Sequence, residues 1–482
     1  MSVLSQQEPA DVLEYFEQIC RIPHGSGNTK EISDFCVSFA KEHDLRYIQD
    51  KNNNVILFKD GTEGYEQSSP VMIQGHLDMV CEQEPDSSID FATDGLALQV
   101  DGDFISAGGT TLGGDDGIAI AYALALLASD DIPHPPLEVV FTVDEEVGML
   151  GAAALDCSAL KSRVMLNLDS EDEGYLLVSC AGGVCAICHL PVQRREEKGT
   201  AITLAVRGLT GGHSGVEIDK GRGNANQLLG RLLYELKQET SFSLASVNGG
   251  LKVNAIPREA TAKILVDTET VQAVQEFAAK WHNILIKEYQ ATDPALQVRT
   301  ENEESITVQT MDAASSARVI CALLNLPGGV QRMSHAIEGL VQTSLNLGIL
   351  VTKSDEVTMS YSVRSSVETE KRALLRRLES LTEYLGGTVE CLGDYPAWEY
   401  NSHSALRELM IAVFEEQYGH KPVVQALHAG VECGLFSGKL PGLDCVSFGP
   451  DILDIHTTSE RIRISSIQRV WTYTKEVLKR LH

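Results

Sequence analysis

The sequence predicts an α/β protein with a largely parallel central sheet flanked by helices and with an α+β domain inserted into it. Two observations predict the sheet: apolar, strand-like runs alternate with helical runs in the first third of the chain, and polar or acidic residues follow these runs. A third observation predicts the insertion, because between about residues 184 and 396 no strand ends in a comparable acidic cluster.

Four apolar runs share the pattern that predicts the central sheet. They are PVMIQ before GHLDMV, LEVVFTV before DEEVG, RVMLNL before DSEDEG, and LDCVSFGPDILDI before HTTSE. The stretch GIAIAYALALLAS between the first two is helical in character. Because ligands of such sheets bind beyond the carboxyl ends of the strands, we expect these His, Asp and Glu residues to form a site.

The inserted segment alternates strands and helices of its own. TAITLAVRGL, TAKILVDT and EVTMSYSVRSS predict strands, and NANQLLGRLLYELKQE and SARVICALLNL predict helices. The helical stretches HSALRELMIAVFEEQYG and SIQRVWTYTKEVLKRLH then return to the first domain. We therefore expect one domain formed by residues 1–183 and 397–482, and an insert formed by residues 184–396.

Charge and hydropathy exclude several classes of function. The chain has 68 acidic against 39 basic residues, a net charge of −29, and no basic cluster that would form a nucleic-acid groove. No stretch reaches the roughly 18 uninterrupted apolar residues of a membrane span. The first residues lack a basic segment followed by an apolar one, and the eleven scattered cysteines suit a reducing compartment, so we expect a cytoplasmic protein.

Three local motifs resemble known functional sites but lack a feature that each site requires. Cys185 to His189 has the spacing of a haem attachment site, but the run is strand-like and residues three apart in a strand point to opposite faces. No Gly-Lys-Ser/Thr follows Gly113 and Gly114, so these glycines do not make a phosphate loop. GGHSGV resembles a serine nucleophile turn, but Val216 replaces its last glycine.

The predicted strand ends carry a dense group of imidazoles and carboxylates. Its members are His76, Asp78, Asp115, Asp116, Asp144, Glu145, Glu146, Asp169 and His456. So many carboxylates repel one another unless cations neutralise them. Imidazole and carboxylate ligands without cysteine suit zinc or a similar divalent metal, and two metals need about five protein ligands with one bridging carboxylate.

The spacing of residues within this group predicts different roles for neighbouring side chains. His76 and Asp78 are two apart, so an extended chain points both the same way and Asp78 can accept the second imidazole N–H. Glu145 and Glu146 are adjacent and point differently, so one can bind metal while the other handles a proton. We expect Asp116 to cap the following helix.

Eight motifs in order give the chain a family resemblance. They are GHLDMV, TTLGGDDGIAIA, DEEVGMLGA, NLDSEDEG, GGHSG, KVNAIPREA, HAGVECG and SFGPDILDIHTTSE. As a set they resemble the M20 family of co-catalytic zinc peptidases, and the resemblance covers essentially the whole chain. It implies a catalytic di-metal domain over residues 1–183 and 397–482 and a lid or dimerisation domain over residues 184–396.

The resemblance implies a role for each residue at the strand ends. His76 and Asp169 would bind one metal, Glu146 and His456 the other, and Asp115 would bridge the two. Asp78 would orient His76, and Glu145 would act as general base and then general acid. The cofactor implied is two divalent ions per subunit, zinc first, with manganese or cobalt open. A cis peptide bond between Asp115 and Asp116 is also implied.

The resemblance implies that His213, Asn254 and Arg364 of the insert, together with Gly430, bind the substrate or stabilise its transition state. Because the metal ligands lie on the other domain, the insert would act as a lid. A homodimer through the insert is expected, and a monomer with an enlarged lid is the alternative.

The activity implied is that of an aminopeptidase-type dipeptidase acting on unblocked dipeptides. Xaa-His peptides, including β-alanyl-histidine (carnosine), are the expected substrates. A tripeptidase, a carboxypeptidase or an N-acyl amino acid deacylase of the same family is the nearest alternative. An inactive metal-binding or scaffold protein is the alternative from a different class, and it would require a missing ligand or base, whereas none is missing.

Overall fold

A computed structural model describes residues 3–482, which form eleven α-helices and 23 β-strands. The helices are α1 Ala10–Cys20, α2 Lys30–Glu42, α3 Gly114–Ala128, α4 Leu150–Ala154, α5 Ala225–Glu239, α6 Val271–Tyr289, α7 Ala313–Asn325, α8 Glu368–Tyr384, α9 Ala405–Tyr418, α10 Glu432–Lys439 and α11 Ile464–Arg480. The strands are β1 Arg46–Gln49, β2 Val55–Lys59, β3 Val71–His76, β4 Leu98–Asp101, β5 Phe104–Ala107, β6 Leu137–Thr142, β7 Val164–Asn167, β8 Tyr175–Cys180, β9 Gly182–Pro191, β10 Arg194–Arg207, β11 Gly212–His213, β12 Ser243–Gly249, β13 Ala255–Ile256, β14 Ala260–Val266, β15 Gln297–Met311, β16 Gly329–Met333, β17 Val341–Thr352, β18 Glu356–Ser365, β19 Thr388–Tyr395, β20 Val423–Leu427, β21 Asp444–Ser447, β22 Ile452–Leu453 and β23 Arg461–Arg463.

The chain folds into two units. The first contains the chain up to Cys180 together with Tyr400–Ala426 and Val431–His482. The second contains Ala181–Glu399 and the short segment Leu427–Gly430.

The sheet of the first unit has the strand order β1-β2-β6-β3-β7-β21-β8-β20. Its centre is parallel, since β3 pairs in parallel with β6 and β7, and β7 pairs in parallel with β21. Towards the edges β2 pairs antiparallel with β6, and β8 pairs antiparallel with β21. The predicted α/β class is confirmed, and parallel pairing is concentrated in the four strands that precede the predicted site residues.

Helix α3 crosses the interior of the first unit, and its residues from Gly114 to Leu127 are buried. A helix that is apolar on all faces belongs inside a protein. Its first turn is irregular, because the backbone angles of Asp115 and Asp116 are not helical. The Asp115–Asp116 peptide bond is cis, which confirms what the family resemblance implied.

The second unit is built on a nine-stranded antiparallel sheet that carries α5, α6, α7 and α8, so the predicted α+β character is confirmed. Helix α5 begins where the side chain of Asn224 accepts hydrogen bonds from the backbone N–H groups of Asn226 and Gln227. The segment with haem-like spacing is strand β9, in which Cys188 is fully buried and Cys185 is only half-buried.

Among residues 3–482, the structure has no helix with the length and apolar character needed to traverse a lipid bilayer.

Candidate metal centre

Three neighbouring strands bring His76, Glu145 and Asp169 to one edge of the central sheet. Strand β3 ends at His76, β6 ends three residues before Glu145, and β7 ends two residues before Asp169. Since β6, β3 and β7 are parallel neighbours, their carboxyl ends meet.

The His76 imidazole is buried and fixed in one orientation. Its Nδ1 lies 2.9 Å from the backbone carbonyl oxygen of Asp78, so Nδ1 carries the proton and donates it. Nε2 lies 3.2 Å from Asp115 Oδ1 and 3.5 Å from Asp169 Oδ1. Burial would lower the pKa of His76, but these two carboxylates outweigh it and raise that pKa, so without a metal ion Nε2 carries a proton, and a bound cation would take the place of that proton.

His456 repeats this arrangement on the other side of Asp115. Its Nε2 lies 2.9 Å from Glu146 Oε1 and 3.2 Å from Asp115 Oδ2. The two oxygens of the Asp115 carboxylate therefore face two different imidazoles. His456 has a φ of 60°, a left-handed conformation that non-glycine residues seldom adopt and that recurs at functional sites.

The donor set and its spacing fit divalent metal ions. The described residues form three groups with ligand atoms within 4.8 Å of one another: His76 with Asp116 and Asp169, His76 with Glu145 and Glu146, and Asp115 with Glu146 and His456. None of these groups contains cysteine. Two ligand atoms each about 2.0–2.1 Å from a tetrahedral zinc ion lie about 3.3 Å apart, which is close to the separations around Asp115.

Proton affinities in the cluster follow from burial and from these contacts. Burial would raise the pKa of Asp115, but hydrogen bonds from His456 and His76 outweigh it and hold that pKa below its usual value. The contacts with Asp115 and Glu146 raise the pKa of His456 to about 10. Burial raises the pKa of Glu145 to about 9 against the pull of His76, so its carboxyl is suited to carrying a proton.

The Asp78 carboxylate binds the acidic loop, residues 144–148 after β6, and does not bind the His76 imidazole. It accepts hydrogen bonds from the backbone N–H groups of Glu145 at 3.0 Å and Glu146 at 3.3 Å, and from Ser26 Oγ at 2.8 Å. Its nearest oxygen is 3.7 Å from His76 Nδ1. The expected carboxylate partner of that imidazole is therefore replaced by the backbone carbonyl of the same residue.

Asp116 does not cap the helix that follows it, contrary to the prediction. Its Oδ2 accepts the backbone N–H of His76 at 3.0 Å, which ties the start of α3 to the end of β3. This approach requires glycine before the histidine, because a Cβ at Gly75 would lie 2.5 Å from Asp116 Oδ2 and 2.7 Å from Ala119 Cβ.

The second unit contains all four predicted substrate-binding residues. His213 and Asn254 lie side by side, because β11 pairs with β13 and Asn254 immediately precedes β13. The Nδ1 of His213 accepts the backbone N–H groups of Gly215 and Val216, both at 3.2 Å. Burial and the nearby Arg364 lower the pKa of His213, so the neutral imidazole carries its proton on Nε2.

Arg364 and Gly430 both lie close to Tyr395 within the second unit. Arg364 is 9% exposed, and its Nη1 donates to Tyr395 Oη at 3.2 Å. A Cβ at Gly430 would lie 2.6 Å from the same ring. His428 Nε2 lies 2.7 Å from Ser344 Oγ, and burial together with Arg364 lowers the pKa of His428 to about 3.

Comparison with known proteins identifies the family. Residues 204–293 match the peptidase dimerisation domain of the M20 peptidases. Over its whole length the chain is 36% identical to the cytosol non-specific dipeptidase of Escherichia coli, of which the alignment covers 99%. The chain belongs to the M20 family of metallopeptidases.

Solved structures agree with this assignment. The chain superposes on the crystal structure of aminoacylhistidine dipeptidase from Vibrio alginolyticus with a TM-score of 0.93 and 36% identity, over 99% of this chain and 98% of that one. The aminopeptidase PepT from Bacillus cereus shares the fold alone, with a TM-score of 0.57 and 15% identity over 98% of each chain.

The buried carboxylate of Glu432 was not predicted from the sequence. Glu432 is fully buried, and its Oε2 accepts hydrogen bonds from Gln74 Nε2 at 2.5 Å and Thr142 Oγ1 at 2.6 Å. Asn167 Nδ2 donates to Gln74 Oε1 at 2.5 Å. These polar residues stand on β3, β6 and β7 just before the site, so the network links the three strands. The carboxylate lay within the motif HAGVECG, but no acidic cluster marked it.

The contacts that Tyr395 and His428 make with Arg364 and Ser344 were not predicted from the sequence either. His428 stood in the same motif without a chemical signal, and Tyr395 lay in no motif at all.

Proposed function

We propose that this M20 chain is a di-metal dipeptidase that hydrolyses unblocked dipeptides, Xaa-His dipeptides among them. The observation that carries the proposal is the Asp115 carboxylate, whose two oxygens each lie 3.2 Å from a different imidazole. Two relatives that match the chain over at least 98% of their length are named as a non-specific dipeptidase and an aminoacylhistidine dipeptidase, which supports the substrate class.

Five residues would hold the metals in this proposal. They are His76 and Asp169 for one ion, Glu146 and His456 for the other, and Asp115 between them. Two bound divalent ions, with zinc first among the candidates, would lower the pKa of a shared water and polarise the substrate carbonyl.

The proton transfers fall to Glu145. Its half-buried carboxylate accepts the proton of the attacking water and later donates it to the leaving amine. Asp78 fixes the backbone from which this side chain projects, through the 3.0 Å hydrogen bond to the N–H of Glu145. Turnover therefore depends on Asp78 through the position of the base.

The substrate is gripped by residues of the second unit. The Nε2–H of His213 is free to donate to the developing oxyanion, because Nδ1 already accepts two backbone N–H groups. The guanidinium of Arg364, oriented by Tyr395, pairs with the substrate carboxylate. Asn254 and the backbone at Gly430 complete the set of proposed contacts.

We also propose a homodimer formed through the second unit, which contains the matched dimerisation domain, and a cytoplasmic location like that given in the name of the Escherichia coli relative. Sedimentation velocity distinguishes the dimer from a monomer.

The experiment that tests the activity is hydrolysis of a substrate panel by metal-depleted protein, with zinc, manganese or cobalt added back singly. The panel contains unblocked dipeptides including Xaa-His and β-alanyl-histidine, tripeptides, and N-acetyl amino acids. The proposal expects metal-dependent cleavage of dipeptides and none of N-acetyl amino acids. Preference for tripeptides or acylated substrates would assign the chain to another branch of the family, and no hydrolysis with any metal would contradict the proposal.

A further inference from the structure

Glu460 is a buried carboxylate that sits on the turn leading into α3. It is 2% exposed. Its Oε2 accepts the backbone N–H of Leu112 at 2.8 Å and of Gly113 at 3.2 Å, and its Oε1 accepts that of Gly114 at 2.8 Å and of Asp115 at 3.4 Å. One side chain thus receives four consecutive backbone N–H groups.

These hydrogen bonds supply what the start of α3 lacks. The first N–H groups of a helix have no partner within it, and the N-terminal flanking residue of α3 gives no side-chain cap. A carboxylate there is also favoured by the helix dipole. The fit is close, because a Cβ at Gly114 would lie 3.3 Å from Glu460 Oε1.

The same side chain belongs to the loop that carries His456. Glu460 follows His456 by four residues, and its own backbone N–H donates to Thr457 O at 3.1 Å, which closes the loop into a turn. Glu460 therefore joins the turn that carries Asp115 to the loop that carries His456, although these two residues are 341 positions apart in sequence. The link lies next to the contact between Asp115 Oδ2 and His456 Nε2, which are 3.2 Å apart.

We propose that Glu460 is a positioning residue that fixes the bridging carboxylate Asp115 relative to His456. It thereby sets the affinity of the centre for the metal ion that Glu146 and His456 would hold. This inference rests on the proposed metal centre. When an amide replaces the Glu460 carboxylate, one acceptor oxygen becomes a donor NH₂ group and at least two of the four backbone N–H groups lose their acceptor, which loosens the link between the two ligands.

Glu138 provides a matched control in the same unit. It is 4% exposed, and its carboxylate accepts the backbone N–H groups of Lys161 at 2.9 Å and Ser162 at 3.0 Å. It stands near the start of β6, at the opposite end of that strand from the site. Glu138→Gln therefore removes a comparable buried carboxylate without touching a loop that carries a proposed ligand.

The test is calorimetric titration of zinc into metal-free wild type, Glu460→Gln and Glu138→Gln, with circular dichroism and the metal-free Tm of each. The inference expects Glu460→Gln to bind zinc about 10- to 100-fold more weakly, as is usual when a partner of a metal ligand is lost, while Glu138→Gln binds as wild type does even if its Tm falls. Equal zinc affinity in folded Glu460→Gln and wild type would overturn the inference and leave the metal centre standing.

Two further outcomes are distinguishable. Wild type that binds no zinc would refute the proposed metal centre itself. Glu460→Asp keeps the charge on a shorter side chain and replaces Glu460→Gln if the latter does not fold, and the same loss of affinity is expected. If both variants fail to fold while Glu138→Gln folds, Glu460 is a folding determinant and the positioning role is rejected.

Discussion

Asp78 holds Glu145 by its backbone: the carboxylate of the first accepts the N–H of the second at 3.0 Å. The acidic loop is thereby tied to the residue that follows the end of β3 by two positions. The partner of the His76 imidazole is the backbone carbonyl of Asp78, which no side-chain substitution removes.

Replacing Asp78 with alanine is therefore expected to lower kcat by about 10- to 100-fold, since it frees the loop that carries the base. Zinc beside His76, measured by atomic emission as at least one ion per subunit, should be retained because His76 keeps its partner. The ion proposed at Glu146 should bind more weakly, because Asp78 also accepts the N–H of Glu146 at 3.3 Å. Ser26→Ala removes one hydrogen bond from the same carboxylate and should change kcat far less. If Asp78→Ala bound no zinc at all, orientation of His76 by the side chain would be its main role.

Glu145→Gln separates proton transfer from metal binding. The amide cannot accept the proton of water, so kcat should fall by about 10²–10⁴-fold while zinc affinity is retained. Glu146→Gln is the matched comparison. Glu146 Oε1 lies 2.9 Å from His456 Nε2 and is a proposed metal ligand, so this variant should bind zinc more weakly. Stopped-flow or steady-state rates together with zinc titration check both. Near-wild-type turnover of Glu145→Gln would remove it from the mechanism.

Arg364→Met is expected to raise KM for dipeptides by about 10- to 100-fold, because it deletes a charged hydrogen-bond donor from the proposed carboxylate contact. Arg376 of α8, whose side chain is 81% exposed, gives the control Arg376→Met, which should leave KM unchanged. An unaltered KM in Arg364→Met would mean that the substrate carboxylate is bound elsewhere.

A pH-dependent stability effect is expected at Glu173, away from the proposed metal ligands. Burial would raise the pKa of Glu173, but hydrogen bonds from Arg469, at 2.7 Å, and Tyr418, at 2.6 Å, outweigh it and lower that pKa. A lowered folded-state pKa gives stabilisation that is present above the unfolded value of about 4.3 and is lost as the pH falls through the folded value.

Glu173→Gln should accordingly cost roughly 1–2 kcal/mol at neutral pH, an amount kept modest by the partly exposed guanidinium. Differential scanning calorimetry from neutral to acidic pH should show the Tm gap between wild type and variant narrowing below about pH 4. A gap that stays constant with pH would show that the ionised form of Glu173 gives no stabilisation.

The position of the proposed site residues could be predicted from the sequence better than the groups that support them. The proposed ligands His76 and Asp169 and the proposed base Glu145 could be placed at one sheet edge because each follows an apolar run, and the ends of parallel strands must meet. Glu460 could not, because its partners are backbone N–H groups about 345 residues earlier, and backbone groups leave no mark in a sequence.

The prediction for Asp116 was wrong for a local reason. The non-helical backbone angles of Asp116 would suit an N-cap residue, but its Oδ2 accepts the backbone N–H of His76 on β3 instead of an N–H of the helix. Glu460, which is distant in sequence, accepts N–H groups earlier in this turn, from Leu112 to Asp115. Short-range rules describe the helix itself but not which distant side chain reaches its first turn.

An anomalous-diffraction map of zinc-loaded crystals would show whether Asp115 bridges two metal ions, as proposed. Two zinc peaks are expected about 3.5–4 Å apart, one beside His76 and Asp169 and one beside Glu146 and His456, with the Asp115 carboxylate between them. A single peak, or two peaks that Asp115 does not link, would contradict the proposal.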